Sequence, residues 1–427
     1  SFIPNAARPR VQVVDQHWPY GPVVALVEDA SMIWAVTVDH GVVIYDLRQG
    51  LASYAPGTDR PEGLVQAKDI SLMADASVLW CDGTDRVHRG DPAVLFVPQH
   101  EGVDLRHINA LTVDRKGRIW LATPQGIFHH GAGFTDQLKM TRLALEQDPN
   151  MQVVCLREDA EGSMWAGTFG NGVFRIRDNG EVTRFAEKDG LSNNSVLSIR
   201  TQGQRLWFAT LAGICSWSAE EGFRAASIPG SGFVYDVLPL PDGAVLAATD
   251  GTGVVRVEQN GMGHRIGRTD VSASYYSLCL DTNGIAWACG PGTGLCRIQG
   301  DSIQCVSMTR APFDGNVFGI AAVGERVVAL GESGIAIYDP SRNDLFDIGA
   351  SVGSYGITAE LNTIALDPDG DLWLACDRGL IRMTPDRTVQ ADHVPCVITS
   401  VVWAGEELPL STDLLLRHDQ NFLTIHF

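Results

Sequence analysis

The chain has 427 residues, 45% of them hydrophobic, and its 51 Asp and Glu outweigh 32 Lys and Arg to give a net charge of −19. So acidic a surface repels phosphate backbones, which argues against nucleic acid as a partner and against a polyanionic ligand unless a local basic patch outweighs the mean field. No stretch reaches the ~18–20 uninterrupted apolar residues of a membrane span, and the opening SFIPNAARPR, without initiator Met or signal-peptide apolar core, reads as a mature or trimmed start.

The first element is a short strand at Arg10–Asp15, RVQVVD. After it one phrase returns nine times: an apolar run, a turn rich in Asp and Gly, an aromatic-bearing strand, a small residue, a Gly and another strand. The slot residue is Trp34, Trp80, Trp120, Trp165, Trp207, Leu246, Trp287, Val328 and Trp373 in turn. From Trp34 to Trp373 is 339 residues in eight steps, about 42 per unit. That period, with several short strands per unit, predicts an all-β fold, a β-propeller in which each unit is one four-stranded blade. Within a unit the innermost strand A is apolar, B carries the Trp slot, C follows the Gly, and D is outer and more polar. The Trp is large and should wedge between adjacent blades.

The last unit supplies A, B and C (LNTIALD, DLWLACD, GLIRMT) before the pattern changes. Arg10–Asp15 precedes the first A strand as a D strand would, so it is expected to complete the last blade against Leu380–Met383 and latch the ring. One closed ring of nine blades follows, with eight blades and one irregular unit as the competitor. The domains are then a propeller over residues 1–393 and a tail over 394–427.

Nine Cys is an odd number, so at least one has no partner within the chain. Cys81, Cys289 and Cys376 fall just after the Trp slot and read as buried small hydrophobes. In GLCRIQGDSIQC a two-residue turn at Gly300-Asp301 pairs Gln299 with Ser302 and sets Cys296 opposite Cys305, near disulfide reach. A bridge there would indicate an oxidising compartment.

Residues 190–217 resemble the two-component regulator propeller repeat. Gly190, Leu191, Ser192, Asn193, Asn194 and Val196 match its start, and Trp207, Thr210 and Gly213 match its end. The other units keep the second half well and the first half poorly, over roughly residues 10–390. The tail resembles the beginning of the three-tyrosine (Y_Y_Y) domain, through Ile398-Thr399-Ser400, the Gly405–Leu408 hairpin, and His418–Asn421 leading into Leu423, Ile425 and Phe427. That domain is a β-sandwich of about 70–100 residues, so the tail holds only its first strands and the sandwich is expected to be truncated. Together the two resemblances imply the periplasmic sensing part of a bacterial transmembrane signalling protein, a two-component sensor or diguanylate cyclase. Its kinase or cyclase output would lie outside this chain, membrane attachment would come through missing segments, and the full-length protein would be a homodimer.

Propeller ligands usually sit over the central channel, where A strands begin and B–C loops turn. Counting back about eleven residues from each Trp slot gives His107, Asn109, Gln152, Asn194, Tyr235, Tyr276, Asn316 and Asn362, and the B–C loops add His40, Asp85, Gln125, Phe169, Asn171 and Arg378. The ligand-binding candidates are His40, Asp85, His107, Asn109, Gln152, Phe169, Asn171, Asn194, Tyr235, Tyr276, Asn362 and Arg378. Amides and aromatic rings suit a small polar or saccharide-like molecule, through hydrogen bonds and stacking; the plainer reading is that each Asn or Gln caps a strand turn. No catalytic residue, metal or cofactor is assigned. Asp367-Pro368-Asp369-Gly370-Asp371 resembles part of a calcium loop, but other units place ordinary hairpin turns in that slot, and His129-His130 lacks spaced partners for zinc. A propeller lyase or lactonase, or a pure protein-interaction scaffold, remain the alternatives to a sensor.

Overall fold

The structure is a computed structural model. It describes residues 21–29, 32–38, 41–46, 51–54, 67–72, 78–82, 87–90, 94–97, 99–100, 103–129, 141–143, 151–230, 232–267, 273–306, 316–331, 334–347, 361–376, 379–385, 400–403, 406–408 and 423–426. Regular structure among them is almost entirely strand, with one 3-10 turn at Glu187–Asp189.

Each unit folds as the pattern requires. In the unit around Trp165, Val153–Glu158, Met164–Thr168, Val173–Ile176 and Val182–Phe185 pair consecutively as an antiparallel meander. Burial decreases outward: the second and third strands are wholly buried, while the fourth has no buried residue. Six other sheets repeat this order from consecutive strands.

The last sheet differs. Ile364–Leu366, Leu372–Cys376 and Gly379–Met383 take their fourth strand from far upstream, with Val94–Val97 pairing antiparallel to Leu380–Met383. The expected latch was therefore right in kind and wrong in strand. The outer strand of the second unit fills the place foreseen for Arg10–Asp15, which lies outside the described residues. The physical reason is position: Val94–Val97 immediately precedes the third unit, so pairing it with the last sheet closes a circuit that begins there. The inner strands Ala110–Val113, Val153–Glu158, Val196–Gln202, Val234–Pro239, Ser277–Leu280, Val317–Val323 and Ile364–Leu366 are neighbours in that order. The last returns to the first, where the Leu111 N–H donates to the Asn362 carbonyl at 3.0 Å. The nine-blade count is not confirmed: this circuit runs through the third to ninth units. The first two units form sheets of their own, Val23–Tyr54 and Ala67–Gly90. The fold is a β-propeller.

The core lies between neighbouring sheets, where the Trp wedge was expected. Trp165 belongs to the fourth unit but packs with Ile199, Leu206 and Phe208 of the fifth, and Trp287 packs with Ile320, Val327 and Ala329 of the eighth. Trp34 and Trp80 stand 6.1 Å apart and share a cluster with Leu111, Trp373 and Leu380, joining the first two sheets to the ring. Burying a large aromatic side chain contributes on the order of 3 kcal/mol, so the wedges carry much of the cohesion between blades. Cys296 faces Cys305 with Gln299 opposite Ser302, and the two cysteines are joined in a disulfide. Cys289 and Cys376 are buried thiols, and the Cys81 side chain lies outside what is described.

Contacts divide the chain into compact units of residues 1–388 and 389–427. The second carries a three-stranded antiparallel sheet, with Ser400–Trp403 between Glu406–Leu408 and Leu423–His426.

Candidate functional site

In four ring units the inner strand opens with a β-bulge, its register slipping between Val153 and Cys155, Val196 and Ser198, Val234 and Asp236, and Val317 and Gly319. A bulge leaves one residue outside the ladder, bends the strand and re-aims that residue. The residues so placed are Val154, Leu197, Tyr235 and Phe318. The B–C loops are tied to the same strand ends: the Phe169 N–H donates to the Gln152 carbonyl at 2.9 Å, Leu211 N–H to Ser195 at 3.2 Å, Asp250 N–H to Phe233 at 3.0 Å, and Gly292 N–H to the Asn316 side chain at 3.0 Å. Inner-strand starts and B–C loops therefore share one face of the ring.

On that face four rings from three consecutive units form an arc. Phe233 lies 5.0 Å from Tyr235, Tyr235 meets Tyr276 edge-on at 4.6 Å, and Tyr276 stacks near-parallel on Phe318 at 6.2 Å. All four are half-buried, so each keeps surface for a ligand. Burial, helped by the Asp250 charge and a hydrogen bond with Tyr276, pushes the Tyr235 phenol up to about 12. Tyr235 and Tyr276 were candidates from the sequence; Phe233 and Phe318 were not. Phe318 occupies the position of Tyr235, one residue past the first Val of its strand, and that alignment was the available signal.

The other candidates divide. Asn362 adopts a left-handed φ of 62° and spans the ring, its amide donating to the bulge carbonyls of Val154 at 3.2 Å and Leu197 at 2.7 Å. Both amide hydrogens are thereby spent on bonds to the fourth and fifth units. Asn194 caps a turn: its backbone N–H donates to Glu187 Oε1 and its side-chain oxygen accepts from the Glu187 N–H, both at 3.0 Å, while its carbonyl accepts from Gly172. Asn171 donates its N–H to Thr168 Oγ1 and accepts from Arg184 Nε through its carbonyl. The Asn109 N–H donates to Ala122. His107 and Gln152 are exposed, and Phe169, at 53% exposure, stands out from its loop. His40, Asp85 and Arg378 lie outside the described residues.

Behind the face, the inner strands enclose a cavity of about 360 Å³. Its wall includes charges within otherwise apolar strands: Arg157 and Arg200, with Asp236 beside them. Arg200 grips Asp236 through two nitrogens, at 2.8 and 3.2 Å, and reaches the Leu278 carbonyl at 3.4 Å. Asp236 also accepts from Ser198 Oγ at 2.6 Å and from the N–H groups of Val237 and Leu278. A buried carboxylate so surrounded is satisfied, whereas breaking one partner would strand a charge. The cavity thiols Cys155 and Cys279 are pushed far up by burial and stay protonated. Sequence reasoning missed these charges; the signal was an Arg or Asp inside CLRE, SIRT and YDVL, each an apolar inner strand.

The calcium-like run has another occupation. One Asp367 oxygen accepts from the N–H groups of Asp369 and Asp371 and the other from Trp373 Nε1, so its carboxylate locks a hairpin. His129 lies against Trp120 in a tilted contact, with ring centroids 4.7 Å apart. Among the described residues, no group of three or more His, Cys, Asp or Glu is placed to hold a metal.

These observations define a β-propeller with an aromatic face over a partly charged channel. Residues 147–170 match the sequence profile of the family described as "Two component regulator propeller". No curated protein matches the chain. Among solved structures the chain is similar to the extracellular domain of the putative hybrid two component system BT3049 from B. thetaiotaomicron, with 18% identity and a TM-score of 0.66 over 93% of this chain and 58% of that one. It is also similar to the extracellular domain of BT4673 from the same organism, with 15% identity and a TM-score of 0.57 over 91% of this chain and 55% of that one. A third likeness is to virginiamycin B lyase from Staphylococcus aureus, with 16% identity and a TM-score of 0.55 over 68% of this chain and 97% of that one. At these identities the likenesses establish the fold. The chain spans somewhat more than half the length of the two extracellular domains.

Proposed function

We propose that the chain is the extracytoplasmic sensing part of a bacterial transmembrane signalling protein, and that its aromatic face receives a small polar or saccharide-like molecule. The observation that carries the signalling half is the regulator-propeller match at residues 147–170, set in a ring similar to extracellular domains of putative hybrid two-component systems. The Cys296–Cys305 disulfide is in keeping with an oxidising compartment. In this reading residues 394–427 begin a sandwich domain that passes a shift to a membrane helix and a kinase or cyclase, and the assembled receptor works as a homodimer. No helix among the described residues is long and apolar enough to cross a membrane.

The arc Phe233, Tyr235, Tyr276 and Phe318 carries the ligand half. Its ring faces and edges offer stacking surface, and two phenol hydroxyls offer hydrogen bonds, the combination a sugar ring needs. A ligand can bias signalling only through different affinity for two arrangements of the receptor. The test is thermal denaturation of the purified chain against neutral oligosaccharides and divalent metals. A ligand at 100 times its Kd adds about 2.7 kcal/mol, and Tyr276→Ala should abolish that gain without unfolding the ring. Stabilisation by metal alone would favour the lyase or lactonase reading, and no stabilisation by any compound would favour the scaffold.

A further inference from the structure

Arg157 lies on the wall of the channel cavity, on the inner strand Val153–Glu158, opposite Trp165 in the sheet register. The residues in the same register position on the other ring strands are Thr112, Arg200, Leu238, Cys279, Ala321 and Ala365. At this level, then, two guanidiniums face a lining that is otherwise small or aliphatic. Arg200 is neutralised by Asp236. Arg157 is not: its Nε donates to Thr201 Oγ1 at 2.9 Å, and among the described residues no carboxylate pairs with its terminal nitrogens. The adjacent Glu158 is already committed to Arg115 from three donors at 2.8, 3.2 and 3.4 Å. Burial first, then Arg200, pushes the Arg157 guanidinium down to about 10 against the longer-range pull of Asp236 and Glu158, so it stays charged at neutral pH. The channel thus holds two fixed cations and one fixed anion inside a protein of net charge −19. A half-buried cation with no carboxylate in direct contact is unfavourable, and an arginine fork presents two parallel donors that match a carboxylate.

We propose that the channel binds a short aliphatic monocarboxylate, its carboxylate on the terminal nitrogens of Arg157 and its tail against the apolar wall. The cavity shares Tyr276 with the aromatic face, but the carboxylate contact at Arg157 does not depend on the sensing role. The size is suitable, since a cavity of about 360 Å³ holds a ligand of several carbons. Chemistry selects the class: a neutral molecule leaves Arg157 unpaired, a dianion exceeds the single positive charge available, and a cation is repelled by both arginines.

The experiment is thermal denaturation and calorimetry on the intact chain at fixed ionic strength, with hexanoate as probe and hexanol, hexylammonium and chloride as controls. Hexanoate should raise the melting midpoint saturably, and the controls should not. Arg157→Met should weaken hexanoate binding by roughly tenfold to a hundredfold, the loss of one charge-assisted pair. Without ligand, the same substitution should raise the midpoint, because it removes an uncompensated enclosed charge. The proposal is overturned if hexanoate gives no saturable shift, if hexanol or chloride shifts the midpoint equally, or if Arg157→Met binds hexanoate as tightly as the parent. Should that variant fail to fold, the contrast between hexanoate and hexanol on the unaltered chain still decides.

Discussion

Two kinds of blade close their A–B hairpin with the same backbone and different side chains. In the seventh unit the Asp281 N–H donates to the Ile285 carbonyl at 3.0 Å, and the Gly284 N–H returns to the Asp281 carbonyl at 3.0 Å. In the sixth unit Leu240 stands where Asp281 would be, yet Leu240 N–H meets Ala244 at 2.8 Å and Gly243 N–H meets Leu240 at 3.1 Å. Gly284 and Gly243 both sit at positive φ, 73° and 87°, which only glycine adopts cheaply. The backbone turn therefore needs its glycine and not its aspartate. What Asp281 adds is a clip: one oxygen accepts the N–H groups of Asn283 and Ile285, and the other accepts Trp287 Nε1, all at 2.9 Å. The same carboxylate–indole bond joins Asp114 to Trp120, Asp159 to Trp165, and Asp367 to Trp373. In the sixth unit both partners are gone together, Leu240 for the acid and Leu246 for the indole. A buried indole N–H is costly without an acceptor, so in these four units the Asp and the Trp act as one device. The fifth unit substitutes Gln202 for the acid, the sixth drops both partners, and Trp34, in the first unit, buries its Nε1 without an acceptor among the described residues.

The largest break of this comparison comes from the wedge itself. Trp165 is fully buried and touches Phe185, Phe208 and Trp217, with the Arg175 guanidinium over its ring. Trp165→Ala should cost about 3–5 kcal/mol through lost burial and the cavity left behind. Leu246→Ala, in the blade without an indole, should fall toward the lower end of the ~2–5 kcal/mol range for Leu to Ala. Urea unfolding of both variants checks the order; equal losses would mean that the indole is no more than a space-filler.

Local and long-range information account for what the sequence made legible. The Asp/Gly turn, the Trp slot, the meander and the Cys296–Cys305 register all follow from residues within a dozen positions of one another, where turn geometry fixes the pairing. Tyr235 and Tyr276 were legible because they begin strands at a constant offset from the slot residue. The axis shared by a given set of units was not, since nine units with one period look alike whether or not they belong to one circuit. Nor was the latch: Val94–Val97 and Arg10–Asp15 are both short Val-containing segments in the sequence, and only pairing with Leu380–Met383, about two thirds of the chain downstream of Val94–Val97, identifies the strand that completes the last sheet. Asn362 escaped for the same reason, its amide bonding partners 208 and 165 residues upstream. Arg157, Arg200 and Asp236 were hidden differently, because their meeting depends on neighbouring strands presenting them toward one channel.

A smaller perturbation sharpens the clip. Asp281→Ala leaves Trp287 Nε1 and two N–H groups without their acceptor in a buried setting, which should cost about 1–3 kcal/mol. In the fifth unit the indole acceptor is instead a half-buried Gln, Trp207 Nε1 donating to Gln202 Oε1 at 2.9 Å. Gln202→Ala removes one partly solvated bond, and water can replace it, so about 0.5–1 kcal/mol is expected. Chemical denaturation at constant pH reads both, and a Gln202→Ala loss matching that of Asp281→Ala would dissolve the distinction between a buried device and a surface bond.

The smallest effect lies in the blade that lost the clip. Its turn carries Asp242 on the surface, where Arg256 and the Ala244 N–H hold the carboxyl below the usual carboxylate range. The folded-state value is lowered, so the contribution is fully present above the ordinary value of 3.8 and is lost as the pH falls through the lowered one. Because the Asp242 side chain is 54% exposed, solvent screens the pair, and Asp242→Asn should cost only about 0.2–1 kcal/mol at pH 7. The gap between parent and variant should narrow steadily once the pH drops below 3.8, and added salt should narrow it at pH 7 as well. Urea midpoints at pH 7 and pH 3, each at low and high salt, measure this. A gap that ignores both pH and salt would show that the Asp242 charge plays no part, and the sixth blade would then rest on its glycine turn and apolar packing without electrostatic help.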